Sequence, residues 1–132
     1  MTGPTVDDRL RRRFLVMTQD DELLTAFQAV VPAGWEMVLI TDLEAVGDWN
    51  AVLLYRFLLL DLDEVDAFDP LDVIRELRLR HQINTPVFCF GGDEDVRDEM
   101  RLSRADRFFD RDEILAMLPR FLEQYRWGGD SA

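Results

Sequence analysis

A chain of 132 residues, 48% hydrophobic and 32% charged, is long enough for one domain with a real core and reads as globular. Its formal charge of −12 is repelled by nucleic acid and by anionic membranes, so neither is an expected partner. All fifteen basic residues are arginines, which excludes any mechanism that needs a lysine ammonium; the single cysteine excludes an internal disulfide, and the single histidine excludes a multi-histidine metal site.

In chain order, residues 1–12 read as a loose arm. The basic run Arg9-Leu10-Arg11-Arg12-Arg13 is a solvated lead-in to the first strand. No signal-peptide apolar core is visible, and no apolar stretch approaches the ~18 residues of a membrane span, so the expected location is cytoplasmic. Phe14-Leu15-Val16-Met17 reads as strand one. Asp20 then caps a helix whose apolar residues Leu23, Leu24, Phe27, Val30 and Val31 keep a 3.6-residue period, until Pro32-Ala33-Gly34 breaks it. Residues 35–40 form strand two. Leu43, Val46, Ala51 and Leu54 suggest a second helix, weakened by Gly47.

Phe57-Leu58-Leu59-Leu60 is a run that suits a strand buried on both faces, and it stops on Asp61. Asp69-Pro70 is a helix start, with Leu71, Ile74, Leu77 and Leu79 on the apolar side. Strand four, residues 87–90, holds Cys89, expected to be a buried and inert thiol, and ends at the turn Gly91-Gly92. A thin fourth helix over 93–103 relies on Val96 and Met100. Arg107-Phe108-Phe109 is strand five, and a fifth helix covers 112–127, with Pro119 expected to kink or reset it. Residues 128–132 are a tail. Strands alternating with helices at this spacing predict right-handed βαβ units and one doubly wound α/β domain over 13–127.

In open α/β sheets ligands bind at the carboxyl ends of the strands, which makes Asp61 the first candidate. Its other reading is a carboxylate that simply caps a loop or pairs with Arg111. Asp20 and Asp63 are weak candidates for a cation site. His81, among Arg78 and Arg80, reads as a surface residue. Trp127 is hard to bury so near the end of the last helix; it serves partner contact, as exposed aromatics do, or docks on the chain's own surface.

The segments 57–62, 85–90 (Thr85-Pro86-Val87-Phe88-Cys89-Phe90) and 105–108 (Ala105-Asp106-Arg107-Phe108), in this order and spacing, resemble a bacterial response-regulator receiver domain. The resemblance spans about residues 13–127 and implies a flavodoxin-like five-stranded parallel sheet, order 2-1-3-4-5, with helices on both faces. It makes Asp61 the phosphoacceptor candidate and Phe108 the switch aromatic. The rest of the strand-end pocket departs from the family: Thr18 and Gln19 stand where two acids hold Mg²⁺, with Asp20 just after. Gly91 replaces the hydroxyl residue after strand four, and Arg111 stands at or near the lysine. The resemblance therefore implies an atypical receiver, or pseudo-receiver. Such a protein is not an enzyme, needs no cofactor, and binds a protein partner or a second copy through helix four, strand five and helix five. The alternative is a phosphoaccepting receiver in a two-component phosphorelay, using Asp61 and Mg²⁺. Asp61-Leu62-Asp63-Glu64-Val65 also looks like the DxDx(T/V) motif of haloacid-dehalogenase-like phosphatases, although that motif usually opens its domain and here it lies in strand three.

Overall fold

The computed structural model describes residues 10–47 and 49–127. The five strands are β1 (Arg12–Met17), β2 (Trp35–Leu39), β3 (Leu58–Asp61), β4 (Val87–Phe90) and β5 (Arg107–Phe109). They form one parallel sheet in the order β2-β1-β3-β4-β5. The helices are α1 (Asp21–Val30), α2 (Trp49–Val52), α3 (Pro70–Arg75), α4 (Glu94–Leu102) and α5 (Arg111–Gln124). No helix among the described residues is long and apolar enough to cross a membrane.

The sheet is buried on both faces: β4 is apolar throughout, and β3 is apolar up to the buried Asp61 that ends it. Side chains alternate across a strand, so the two faces collect different residues. Leu15, Met17, Leu58, Leu60 and Cys89 pack beneath α2, α3 and α4, with Val52, Ile74, Leu77 and Met100. The other face gathers Phe14, Phe57, Phe88 and Phe90 with Phe27 of α1 and Phe121 of α5. Phe88 stacks on Phe121 at 4.1 Å between ring centroids and Phe14 on Phe57 at 4.9 Å. Burial pushes the Cys89 thiol up to about 12, with Asp106 adding to the rise, so the thiolate is suppressed.

Several boundaries differ from the sequence reading. β1 begins at Arg12, inside the stretch read as an arm, because Arg12 and Arg13 pair with Trp35 and Glu36 of β2. Residues 1–9 of that arm and the tail 128–132 lie outside the described residues. The second helix is reduced to a 3₁₀ turn (Leu43–Val46) and the four residues of α2, since Gly47 takes a φ of +106° and ends the first piece. Past Arg75, α3 widens into a π turn (Glu76–Arg80), in which the His81 N–H donates to the Glu76 carbonyl at 3.0 Å. The wider turn shifts the helical phase. Arg78 becomes buried and Leu79, expected on the apolar side, is exposed. α5 starts at Arg111, one residue earlier than expected, behind a capping box of Asp110 and Glu113. It runs unbroken through Pro119, an exposed position where the ring needs no room in the core.

Two buried arginines went unread in the sequence. Arg56 donates to the carbonyls of Leu10, Tyr125 and Trp127, tying β1's approach to the chain after α5. Half-exposed Trp127 lies with its ring 3.4 Å from the Arg56 guanidinium. Arg78 donates to the carbonyls of Arg104, Ile83 and Thr85 and to Asp106, whose Oδ2 also accepts from the Val87 N–H.

Candidate functional site

The parallel sheet brings the ends of β1, β3, β4 and β5 together, and with them most of the predicted pocket. Asp61 closes β3 and is 4% exposed. Its Oδ2 accepts a hydrogen bond from Thr18 Oγ1 at 2.6 Å. Its Oδ1 accepts from the Asp63 N–H at 2.9 Å and from Arg111 Nη1 at 2.7 Å. Both carboxylate oxygens are therefore engaged by the chain itself.

Thr18 is buried, and its Oγ1 also accepts from the Asp20 N–H at 3.1 Å. Asp20 caps α1: its Oδ1 accepts from the Leu23 N–H at 3.1 Å, and its Oδ2 accepts from Arg111 Nη2 at 2.6 Å. The hydrogen bond from Arg111, then that from Leu23, holds the Asp20 carboxyl below the usual carboxylate range. Gln19, one residue earlier, is exposed and stands outside this network. Asp63 Oδ2 accepts from Arg111 Nη1 at 3.0 Å, and its Oδ1 accepts from the Gly92 N–H at 2.9 Å.

Arg111 is thus the hub. Its fork reaches three carboxylates that come from the loops after two different strands. Burial by itself lowers the guanidinium, but donation to Asp61 and Asp20 outweighs it and raises Arg111 above its ordinary value. The aliphatic stem brings the guanidinium 5.2 Å from the Phe90 ring.

Gly91 is fitted to this arrangement by its lack of a side chain. Its φ is +75°, and a Cβ there would meet Asp63 Oδ2 at 2.1 Å. The Arg97 guanidinium of α4, which the sequence reading missed, binds over the same turn. Its Nε donates to the Gly91 carbonyl at 3.0 Å, and its Nη2 donates to the Phe109 carbonyl at 3.0 Å and to Asp110 Oδ1 at 3.1 Å. Nothing in a polar helix marks such an arginine; only the topology brings it to the strand ends. Phe108 is not in this pocket. It is half-buried on the α4 side of the sheet beneath the Arg101 guanidinium, 4.7 Å from its ring.

These residues do not fit a divalent cation. The space between the acids is filled by guanidinium nitrogens, and Thr18 offers one neutral oxygen where a hard dication needs charge. Among the described residues no three His, Cys, Asp or Glu side chains converge as metal ligands. His81 is also elsewhere, half-buried and stacked on the Trp49 ring at 3.9 Å.

No family model matches the sequence, and no curated protein matches it significantly. Solved structures do. The phosphorylated cyanobacterial phytochrome response regulator RcpA aligns with a TM-score of 0.68 at 14% identity, covering 87% of this chain and 94% of its own. The receiver domain of a response regulator from Bermanella marisrubri aligns with a TM-score of 0.64 at 21% identity, over 83% and 97%. The Mn²⁺-bound response regulator Rcp1 gives 0.62 at 15% identity, over 88% and 95%. At these identities the likeness concerns the backbone, and with the order β2-β1-β3-β4-β5 it establishes that this chain has the CheY-like fold of response-regulator receiver domains.

Proposed function

We propose that this chain is a pseudo-receiver: an interaction module of signal transduction whose acid pocket is closed by its own arginine. One observation carries the reading. Arg111 donates to Asp20, Asp61 and Asp63 at 2.6, 2.7 and 3.0 Å, so an internal cation stands among the acids of the strand-end pocket. In-line phosphoryl transfer needs an accessible nucleophile and a cation shared with the incoming phosphoryl oxygens. Asp61 is buried, and its oxygens accept from Thr18, Asp63 and Arg111. With Gly91 in the family's hydroxyl position, no side chain there could follow a phosphoryl group. The module then works by contact with another protein or a second copy, and the face formed by α4, β5 and α5 is the proposed contact, with exposed Leu102 at the end of α4.

The position of Asp61 at the carboxyl end of β3 favours a second reading, a slow phosphoacceptor in a phosphorelay, which would require Arg111 to leave the pocket. Incubation with acetyl phosphate and Mg²⁺, followed by intact mass, separates the two. The expected result is no phosphoryl adduct on the wild type. An adduct that disappears in Asp61→Asn would establish the second reading and overturn the first.

A further inference from the structure

Beside the acid pocket, on the α2 and α3 face, lies a cleft of about 590 Å³. It opens where the second crossover is only a 3₁₀ turn and the short α2, beside Thr41 and Asp42 after β2. Met17, Leu43, Trp49, Phe68 and Val73 give it apolar and aromatic walls. Asp42, Glu44, Asp69, Asp72 and Glu76 add five carboxylates to the same lining, against Arg80 and His81. Both of those bases are already committed, Arg80 to Glu76 at 3.0 Å and His81 to Glu76 at 3.4 Å. The π turn sets Glu76 and His81 one turn apart, and the Trp49 indole is braced against His81. Asp42 and Asp69 each use one oxygen to cap a turn or helix. Glu44 and Asp72 have no hydrogen-bonding or ionic side-chain partner among the described residues.

We infer that this cleft is a docking site for a basic peptide segment of a partner protein, one of whose guanidinium or ammonium side chains enters against Trp49 and Phe68. The charge complementarity sets the sign: an anion would meet five carboxylates. The geometry excludes a bare metal ion, since no three of these groups converge as ligands. Aromatic walls beside carboxylates suit an organic cation with an apolar stem. The acids come from two stretches, 42–44 and 69–76, and no three of them converge, so a segment with several basic residues matches the field better than a single small cation. The chain's charge of −12 would steer such a segment inward. This cleft is a second contact, apart from the α4-β5-α5 face, of the interaction module proposed above, and it rests on that reading only for its biological use.

The test is fluorescence anisotropy of a fluorescein-labelled oligoarginine peptide titrated with the intact chain at physiological salt. Saturable one-to-one binding is expected. Glu44→Gln and Asp72→Asn should each weaken it about two- to fivefold, and Trp49→Leu should weaken it about three- to tenfold. The double variant Glu99→Gln, Glu123→Gln removes twice the charge that either carboxylate variant does, but from α4 and α5, and should leave binding unchanged. Circular dichroism checks the fold; if Trp49→Leu does not fold, the two carboxylate variants decide alone. Absent or non-saturable binding, equal loss in the control double variant, or N-acetyl-arginine amide binding as tightly as the peptide overturns the inference. Phosphorylation of Asp61 would overturn the pseudo-receiver reading without altering this titration, and loss of peptide binding would leave the closed acid pocket standing.

Discussion

Arg111 holds its position against the field of its own helix. It is the first residue of α5, where the positive end of the helix dipole disfavours a cation. Three carboxylates reverse that balance, and each is bonded to the guanidinium. The acids need the arginine equally, since without it three negative groups would share one partly buried pocket. Asp20 makes this measurable. Its folded pKa lies below its ordinary value, chiefly through Arg111. A carboxylate shifted down adds stability above its unfolded pKa, about 3.9, and that stability is lost as pH falls through the folded value. Urea midpoints should therefore fall faster for the wild type than for Asp20→Asn on going from about pH 5 to pH 2. The two curves should meet at the acid end. Parallel curves would show that the Asp20–Arg111 pair contributes nothing to folding.

Among the elements, the turn after β4 is the most constrained. Gly91 and Gly92 both have φ of +75°, and added Cβ atoms would meet Asp63 Oδ2 at 2.1 Å and Leu62 Cβ at 2.8 Å respectively. A hydroxyl side chain is not accommodated at position 91 unless Asp63 moves. Gly91→Ser is expected to lower stability by about 1–3 kcal/mol through backbone strain and displacement of Asp63, without conferring phosphorylation. Chemical denaturation with a phosphodonor assay on the same variant checks both halves; a stable variant that labels at Asp61 would contradict both. The same turn shows what the chain's pattern could and could not reveal. Four consecutive apolar residues were enough to place β3 inside the sheet, and Asp69-Pro70 placed the start of α3. The π turn was invisible, because the contacts that go with it, Arg78 on Arg104, Thr85 and Asp106, are tertiary. The shortened second helix was half-legible through Gly47. In the pocket, Asp61, Asp63, Asp20 and Arg111 could be named from their places after strands. Arg97 could not, since its partners Gly91 and Phe109 belong to two other segments.

At the scale of the whole molecule, two arginines from different helices grip the carboxyl edge of one sheet. Arg111 of α5 holds the acids after β1 and β3, while Arg97 of α4 holds the carbonyls that end β4 and β5. The pocket and the ends of β4 and β5 are thereby tied together by hydrogen bonds and ion pairs, with Phe90 and Phe109 leading into the phenylalanine-rich core. A ligand shifts a conformational equilibrium only by its differential affinity for the two states. Here a phosphoryl group would first have to displace Arg111, and would then find no hydroxyl at position 91 to draw inward. One conformation should dominate with or without a phosphodonor. Amide hydrogen exchange across 91–110 is the measure, because it reports the opening of α4 and β5 directly. Acetyl phosphate and Mg²⁺ should leave those rates unchanged in the wild type. Arg97→Ala should raise exchange in α4 and at Gly91, whose carbonyl it releases, while the buried amides of β3 stay protected. A phosphodonor-dependent change over α4 in the wild type would mean that the pocket still drives the α4-β5-α5 face. The arginine closure would then be a regulated gate rather than a permanent one.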